Sequence, residues 1–362
     1  MTFSAVFVLD RDYGIIKSWF GKSVIYSDHS FSYEEAQEII DGTKPSDIRD
    51  DLVLLNKIAK NLRTRRMKKN SVDFDTDEIK IILDENKVPI DIKIKERLDT
   101  HLLIEEFMLL ANLQVGTFMS QRDTPKVPFV YRIHDIPDED RMTDFALLLR
   151  EMGFQFYMDS PQAIKSSIKR LNEAARENEA LKMVQPMAIR MMSKAIYSTD
   201  NIGHFGLGFN DYSHFTSPIR RYSDVLAHRI LYDNLEKITR YNKAELELEC
   251  VHISNQEKKA MEAERESIKY KKAEFMKRHI GQEYDGIVSG IIDRGVFVQI
   301  VENQCEGLVP FDRFDDQYDV ADSRLEAIGR QSKEIIKIGL RLRVKIIDVN
   351  VDQAEIDMDL VF

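Results

Sequence analysis

The stretch His214-Phe-Thr-Ser-Pro-Ile-Arg-Arg-Tyr-Ser-Asp-Val-Leu-Ala-His-Arg229 decides how this chain is read. Ser217 is a favoured helix N-cap and Pro218 a favoured first helical residue, so a helix is expected over 217–236. A capping box would place Glu or Gln three residues after Ser217. The chain has Arg220 there, followed by Arg221. Cations at the positive end of a helix macrodipole cost on the order of 0.3–1 kcal/mol apiece. Backbone N–H groups, a positive helix end and two guanidinium forks together suit an anion, phosphate above all. Asp224 offers the plainer alternative, neutralising both arginines along the helix. An exposed pair of that kind is worth only a few tenths of a kcal/mol.

At 362 residues the chain has room for two or more domains. It is 43% hydrophobic, enough for a sizeable core, and 31% charged, as expected of a soluble protein. No unbroken apolar run approaches the ~18–20 residues of a membrane span, and the first ten residues lack the basic region and cleavage site of a signal peptide. Cys250 and Cys305 form no disulfide framework, which suits a reducing cytoplasm. A net charge of −10 argues at first against a nucleic-acid partner. The charge is uneven, however: residues 281–362 carry 9 Lys/Arg against 17 Asp/Glu, so −8 of the total lies there. The rest is nearly balanced and holds basic clusters at Arg63 to Lys69, Arg220/Arg221 and Lys269 to Arg278. A locally basic channel within an acidic protein is compatible with gripping phosphates.

Residues 2–9 read as a strand, and Asp10 to Gly14 as a turn into another. Ser32-Tyr-Glu-Glu35 is a capping box that starts a helix near Tyr33. Further helices are expected over 46–69, 98–121, 138–152, 161–174, 178–197 and 243–278, with a hairpin over 78–95 around Asp84 to Lys87. The helix 243–278 is charged almost throughout and reads as a connector with little core of its own. After Gly281 the pattern changes to short alternating strands. Glu283 to Ile292, Gly295 to Ile300, Arg341 to Val349 and Glu355 to Leu360 predict a small five-stranded barrel of the OB type.

The run His204-Phe-Gly-Leu-Gly-Phe209, then Tyr212, then His214 to Tyr222, resembles the signature of the ribonuclease II/ribonuclease R family. The resemblance extends through the whole chain and leans towards bacterial ribonuclease R. It implies an α+β fold: an incomplete ribonuclease II-type catalytic domain over 1–278, then an S1-type OB-fold RNA-binding domain over 281–362. It also implies a hydrolytic 3′→5′ exoribonuclease that degrades single-stranded or structured RNA to nucleoside 5′-monophosphates. RNA with a single-stranded 3′ end is then the partner, and Mg2+ the cofactor of the intact enzyme.

The resemblance assigns residues one by one. Arg220 stabilises charge at the scissile phosphate, a role worth a few kcal/mol, and Arg221 stands beside it on the RNA. The pair Glu105/Glu106, in the family pattern Glu-Glu-x-Met-x-x-Ala-Asn, places a carboxylate near the terminal nucleotide, Glu105 by preference. These adjacent residues point about 100° apart, so on a buried helix both can hardly reach water, and a buried carboxylate needs a partner; the plainer alternative is one solvent-facing Glu and one ordinary ion pair. Phe74 matches a base-stacking aromatic, worth about 1–3 kcal/mol per base. Tyr33 matches a tyrosine that braces the RNA 3′ end. Arg132, in Tyr131-Arg-Ile-His-Asp135, and Glu264 match RNA-facing positions, and Phe297 is a stacking candidate in the barrel. Pro310 stands where relatives commonly have an RNA-contacting His, which with the acidic charge weakens RNA binding by the barrel alone.

One family feature is absent. Family catalysis uses aspartates spaced Asp-x5-Asp-x-Asp-Asp to hold magnesium, and this sequence contains no such spacing. In the family that cluster precedes the part matched here. The chain is therefore expected to be the C-terminal part of a ribonuclease R-like protein, inactive alone and binding no metal tightly. The alternative is a non-catalytic RNA-binding or regulatory protein derived from such a nuclease.

Overall fold

The computed structural model describes residues 1–68, 71–72, 78–122, 126–321 and 324–361. In chain order the elements are β1 (Thr2–Leu9), β2 (Ile15–Ser23), α1 (Tyr33–Asp41), α2 (Arg49–Lys68), β3 (Ile79–Leu83), β4 (Pro89–Ile94) and α3 (Asp99–Ser120). Then come β5 (Tyr131–Ile133), α4 (Glu139–Glu151), α5 (Pro161–Ala175), α6 (Glu179–Met191), β6 (Ile196–Ser198), α7 (Tyr222–Asp233) and α8 (Lys243–Met276). The rest is β: β7 (Glu283–Ile292), β8 (Gly295–Ile300), β9 (Glu306–Pro310), β10 (Tyr318–Val320), β11 (Glu326–Gly329), β12 (Ile335–Lys337), β13 (Arg341–Asn350) and β14 (Glu355–Leu360).

The chain folds as two compact units. The first takes residues 1–73, 96–137 and 193–258. Its core gathers Val115 and Met119 of α3, Phe129 to Tyr131, Phe215, and Ala227, Ile230 and Leu231 of α7. Burying a side chain of this size stabilises by about 1.5–3 kcal/mol. Helix α1 starts as its capping box predicts: Ser32 Oγ accepts from the Glu35 N–H at 3.1 Å. Helix α3 is long and apolar enough to cross a membrane by length and composition alone, as core helices also are; its apolar stretch is broken by Glu105 and Glu106, it packs on α2, and Glu106 is buried.

The second unit takes residues 74–95, 138–192 and 259–362. Strands β13-β14-β9-β8-β7 close the expected five-stranded barrel. Its interior is filled by alternate residues, among them Val288, Val296, Val298, Ile300, Val344 and Ile346. The expected hairpin at 78–95 forms as β3 and β4, paired from Ile79↔Ile94 to Leu83↔Pro89.

Three expectations are corrected, and one sheet is present that the sequence pattern did not suggest. The helix over 178–197 ends at Met191, and Ile196–Ser198 leaves it to pair with Tyr131–Ile133 as a two-stranded sheet. Three short strands, β10-β11-β12, form a separate sheet between β9 and β13. Helix α8 is exposed in its middle, but it buries Leu246, Cys250 and Ile253 at one end and Ala273, Phe275 and Met276 at the other. Helix α7 begins at Tyr222 and not near Ser217, which changes the geometry around the arginine pair.

Candidate nucleic-acid interface

Pro218, Ile219 and Arg220 form a turn, closed by the Arg220 and Arg221 N–H groups on the Ser217 carbonyl at 3.3 and 3.0 Å. The fixed φ of proline suits such a turn as well as it suits a first helical residue. Arg221 is the N-cap of α7 and makes no side-chain cap. The macrodipole's positive end is met by Asp224, a wholly buried residue of the first helical turn. Its carboxylate accepts the Ser217 N–H at 2.7 Å, two Arg221 guanidinium bonds at 2.9 Å each and the Ser223 hydroxyl at 3.0 Å. The pre-formed anion site on a helix end is thus corrected: that end already holds an internal anion. Arg221 is bound to it, its side chain 17% exposed. Arg220 is exposed. Among the described residues its side chain makes no hydrogen bond or ion pair.

One further cation, Arg132, lies near the same loop. Arg132, on β5, lies over the Tyr197 ring at 4.6 Å and pairs with Glu257 at 2.6 Å. Tyr197 Oη lies 2.8 Å from His214 Nδ1. Burial first, then the Arg221 and Arg132 charges, push the His214 pKa down from 6.5 to about 2. The ring is therefore neutral, and the positive potential of the loop comes from the arginines.

The two adjacent glutamates of α3 have different surroundings. Glu106, 3% exposed, meets the buried Arg66 in a bidentate pair, and Arg66 also donates to Ser71 Oγ at 2.8 Å. Glu105 is 38% exposed, pairs with Arg97 at 2.7 Å and lies 3.6 Å from the same Arg66. The plainer alternative is the one observed: Glu105 faces solvent and Glu106 is buried in an ion pair, because the helix turns the two about 100° apart. The basic cluster at 63–69 is likewise partly internal, since Arg66 belongs to the core.

Tyr33 is half-exposed and stacks on His101 at 4.2 Å. Glu264 is exposed in the middle of α8, and Phe297 lies partly buried on β8. Phe74 lies outside the described residues. The first unit brings Arg220, Arg221, Arg132, Glu105, Glu106 and Tyr33 into one compact body; Glu264 and Phe297 belong to the second. The plainer sequence alternative holds in part: Asp224 neutralises Arg221, but not Arg220, and it also fastens the Ser217 N–H. Sequence reasoning missed Arg66 as the partner of Glu106, forty residues away. Among the described residues no three His, Cys, Asp or Glu side chains come together to hold a metal. The residues here therefore do not fit the Mg2+ that the resemblance implies for the intact enzyme.

An α+β body carrying an arginine-bearing turn, together with a five-stranded barrel, defines the class. The RNB domain model matches residues 1–237, and the S1 RNA binding domain model residues 277–360. The chain belongs to the RNB-domain family, that of ribonucleases II and R. It is 34% identical to Ribonuclease R of Thermotoga maritima over 376 aligned residues, covering 100% of this chain and 52% of that protein. The apo form of Mycoplasma genitalium RNase R superimposes with a TM-score of 0.90 at 25% identity, over 99% of this chain and 57% of that one. The same protein in complex with ribose-methylated single-stranded RNA also gives 0.90, at 24% identity and the same coverage. The chain thus spans about half the length of these relatives.

Proposed function

We propose that this chain is the RNA-gripping part of a hydrolytic 3′→5′ exoribonuclease of the ribonuclease R type, acting on RNA with a single-stranded 3′ end and releasing nucleoside 5′-monophosphates. One observation carries the reading: the paired arginines divide their work. Arg221 is locked on buried Asp224 and holds the turn, while Arg220 stands exposed with no carboxylate on it. A guanidinium displayed at a fixed point without an internal anion is suited to a phosphate. Glu105 and Tyr33 are assigned to the RNA 3′ end, Arg132 and Glu264 to further RNA contacts, and Phe74 and Phe297 to base stacking. The RNA-bound state of the Mycoplasma genitalium protein supports RNA as the ligand.

The metal-dependent step is assigned to residues outside this chain, since the aspartate spacing is absent and no ligand cluster forms among the described residues. A cytoplasmic setting is proposed from the two free, buried cysteines, Cys250 and Cys305. The absent aspartates equally favour a second reading, a non-catalytic RNA-binding or regulatory protein derived from the nuclease.

Labelled single-stranded RNA tests both. The chain alone is expected to bind it saturably and to release no mononucleotide with Mg2+; absence of binding overturns the RNA reading. Joined to the part of Thermotoga maritima Ribonuclease R that this chain does not cover, the chain should restore hydrolysis. There Arg220→Ala should lower turnover by roughly a hundredfold or more with modest loss of affinity. A bound but inert chimera would favour the regulatory reading.

A further inference from the structure

The loop that presents Arg220 is held from behind by one face of α3. Asn112, only 3% exposed, takes three of its bonds: Oδ1 accepts the Phe215 N–H at 2.9 Å and the Thr216 N–H at 3.2 Å, and Nδ2 donates to Tyr212 Oη at 3.1 Å. One turn further, Gly116 lets the loop backbone press on the helix. A Cβ there would lie 3.0 Å from the Asp211 carbonyl oxygen and 3.2 Å from the Ser213 nitrogen. Residues four apart share a helix face, so Asn112 and Gly116 together form the seat.

The remaining loop bonds point inward as well. His228 Nε2 donates to the Phe215 carbonyl at 2.7 Å; burial lowers its pKa, so the ring is neutral. Ser213 Oγ donates to the Val130 carbonyl at 2.7 Å, and Asp224 takes the Ser217 N–H at 2.7 Å. From Tyr212 to Ser217 the loop is fastened to the body at successive residues, and the free guanidinium follows three residues later.

We propose that Asn112, seated with Gly116, is a positioning residue that sets the register of the 212–217 loop and thereby aims Arg220 at a phosphate. The inference rests on the RNA reading of Arg220 and deepens it: Asn112 acts on RNA through Arg220 and never touches it. A side-chain amide suits this role because it accepts from two backbone donors and gives one hydrogen bond without burying a charge.

Hydrogen exchange on the folded chain reads the proposal without RNA. Asn112→Leu, with the same branching but no polar atoms, should speed exchange of the Phe215 and Thr216 amides by roughly tenfold or more, leaving α7 protected. Asn112→Asp keeps the acceptor and should restore protection in the fold that tolerates it. Unchanged exchange at these two amides in Asn112→Leu overturns the proposal. A double-mutant cycle then reads the link to RNA. Asn112→Leu should weaken single-stranded RNA binding about as much as Arg220→Ala, and much less when Arg220 is already Ala. Additive losses would make Asn112 merely structural and overturn the coupling. If Arg220→Ala alone leaves RNA affinity unchanged, the RNA reading of Arg220 falls, and the coupling with it, while the exchange result still judges the seat.

Discussion

The Arg221 guanidinium closes two 2.9 Å hydrogen bonds on the wholly buried carboxylate of Asp224. A buried ion whose partner is removed stays buried and uncompensated, and such losses run to about 3–5 kcal/mol. Arg220, one residue earlier and exposed, has no such burden. Arg221→Ala is expected to destabilise the chain by about 3 kcal/mol in urea unfolding. Arg220→Ala should stay within about 0.5 kcal/mol of the parent. Equal effects would mean that the two arginines do not divide their work.

The neighbouring glutamates divide in the same way. Glu106→Ala takes the close bidentate partner from Arg66, which is 7% exposed and keeps only Glu105 at 3.6 Å, and should lower stability by about 3 kcal/mol. Glu105→Ala removes an exposed pair with Arg97 and a longer 3.6 Å approach to Arg66, whose bidentate partner Glu106 remains, and should change it by about 1 kcal/mol or less. Denaturant melts of the two variants side by side decide the matter.

Acid should act through His214. In the unfolded chain its ring titrates near 6.5, whereas in the folded chain burial, then Arg221 and Arg132, hold it neutral down to about 2. Between those values the unfolded state binds a proton that the folded state refuses. Stability from this site is complete above pH 6.5 and erodes as pH falls, by up to about 1.4 kcal/mol per pH unit. His214→Gln should show a shallower decline in unfolding free energy from about pH 6 to about pH 4; the same slope as the parent would refute this.

In the barrel, Gly295 faces its neighbour strand so closely that a Cβ would lie 2.3 Å from the Val309 carbonyl oxygen and 2.8 Å from Pro310 Cα. Backbone cannot withdraw as a flexible side chain can. Gly295→Ala is therefore expected to destabilise the barrel by about 3 kcal/mol or more. A variant with parental thermal unfolding would contradict the register of β8 on β9.

These contrasts also show what a sequence reveals. The Ser32/Glu35 cap, the Asp84 to Lys87 turn and the barrel strands are local patterns with fixed periods, and each was legible. The β5–β6 pair was not: two three-residue segments sixty-five residues apart carry no period. The start of α7 was misread because Pro218 suits a turn as well as a helix. The arginine pair was found from composition and spacing. Which arginine is free depended on the burial of Asp224, and the fate of Glu106 on Arg66, a partner distant in sequence. Those are tertiary facts.

The central claim is that Arg220 meets an RNA phosphate. Binding of a single-stranded oligonucleotide to the chain, measured across a range of salt concentrations, tests it most directly. The account predicts that Arg220→Ala weakens binding to every sequence alike and lowers the slope of log affinity against log salt by about one phosphate contact. An Arg220→Ala isotherm matching the parent at every salt concentration would contradict it.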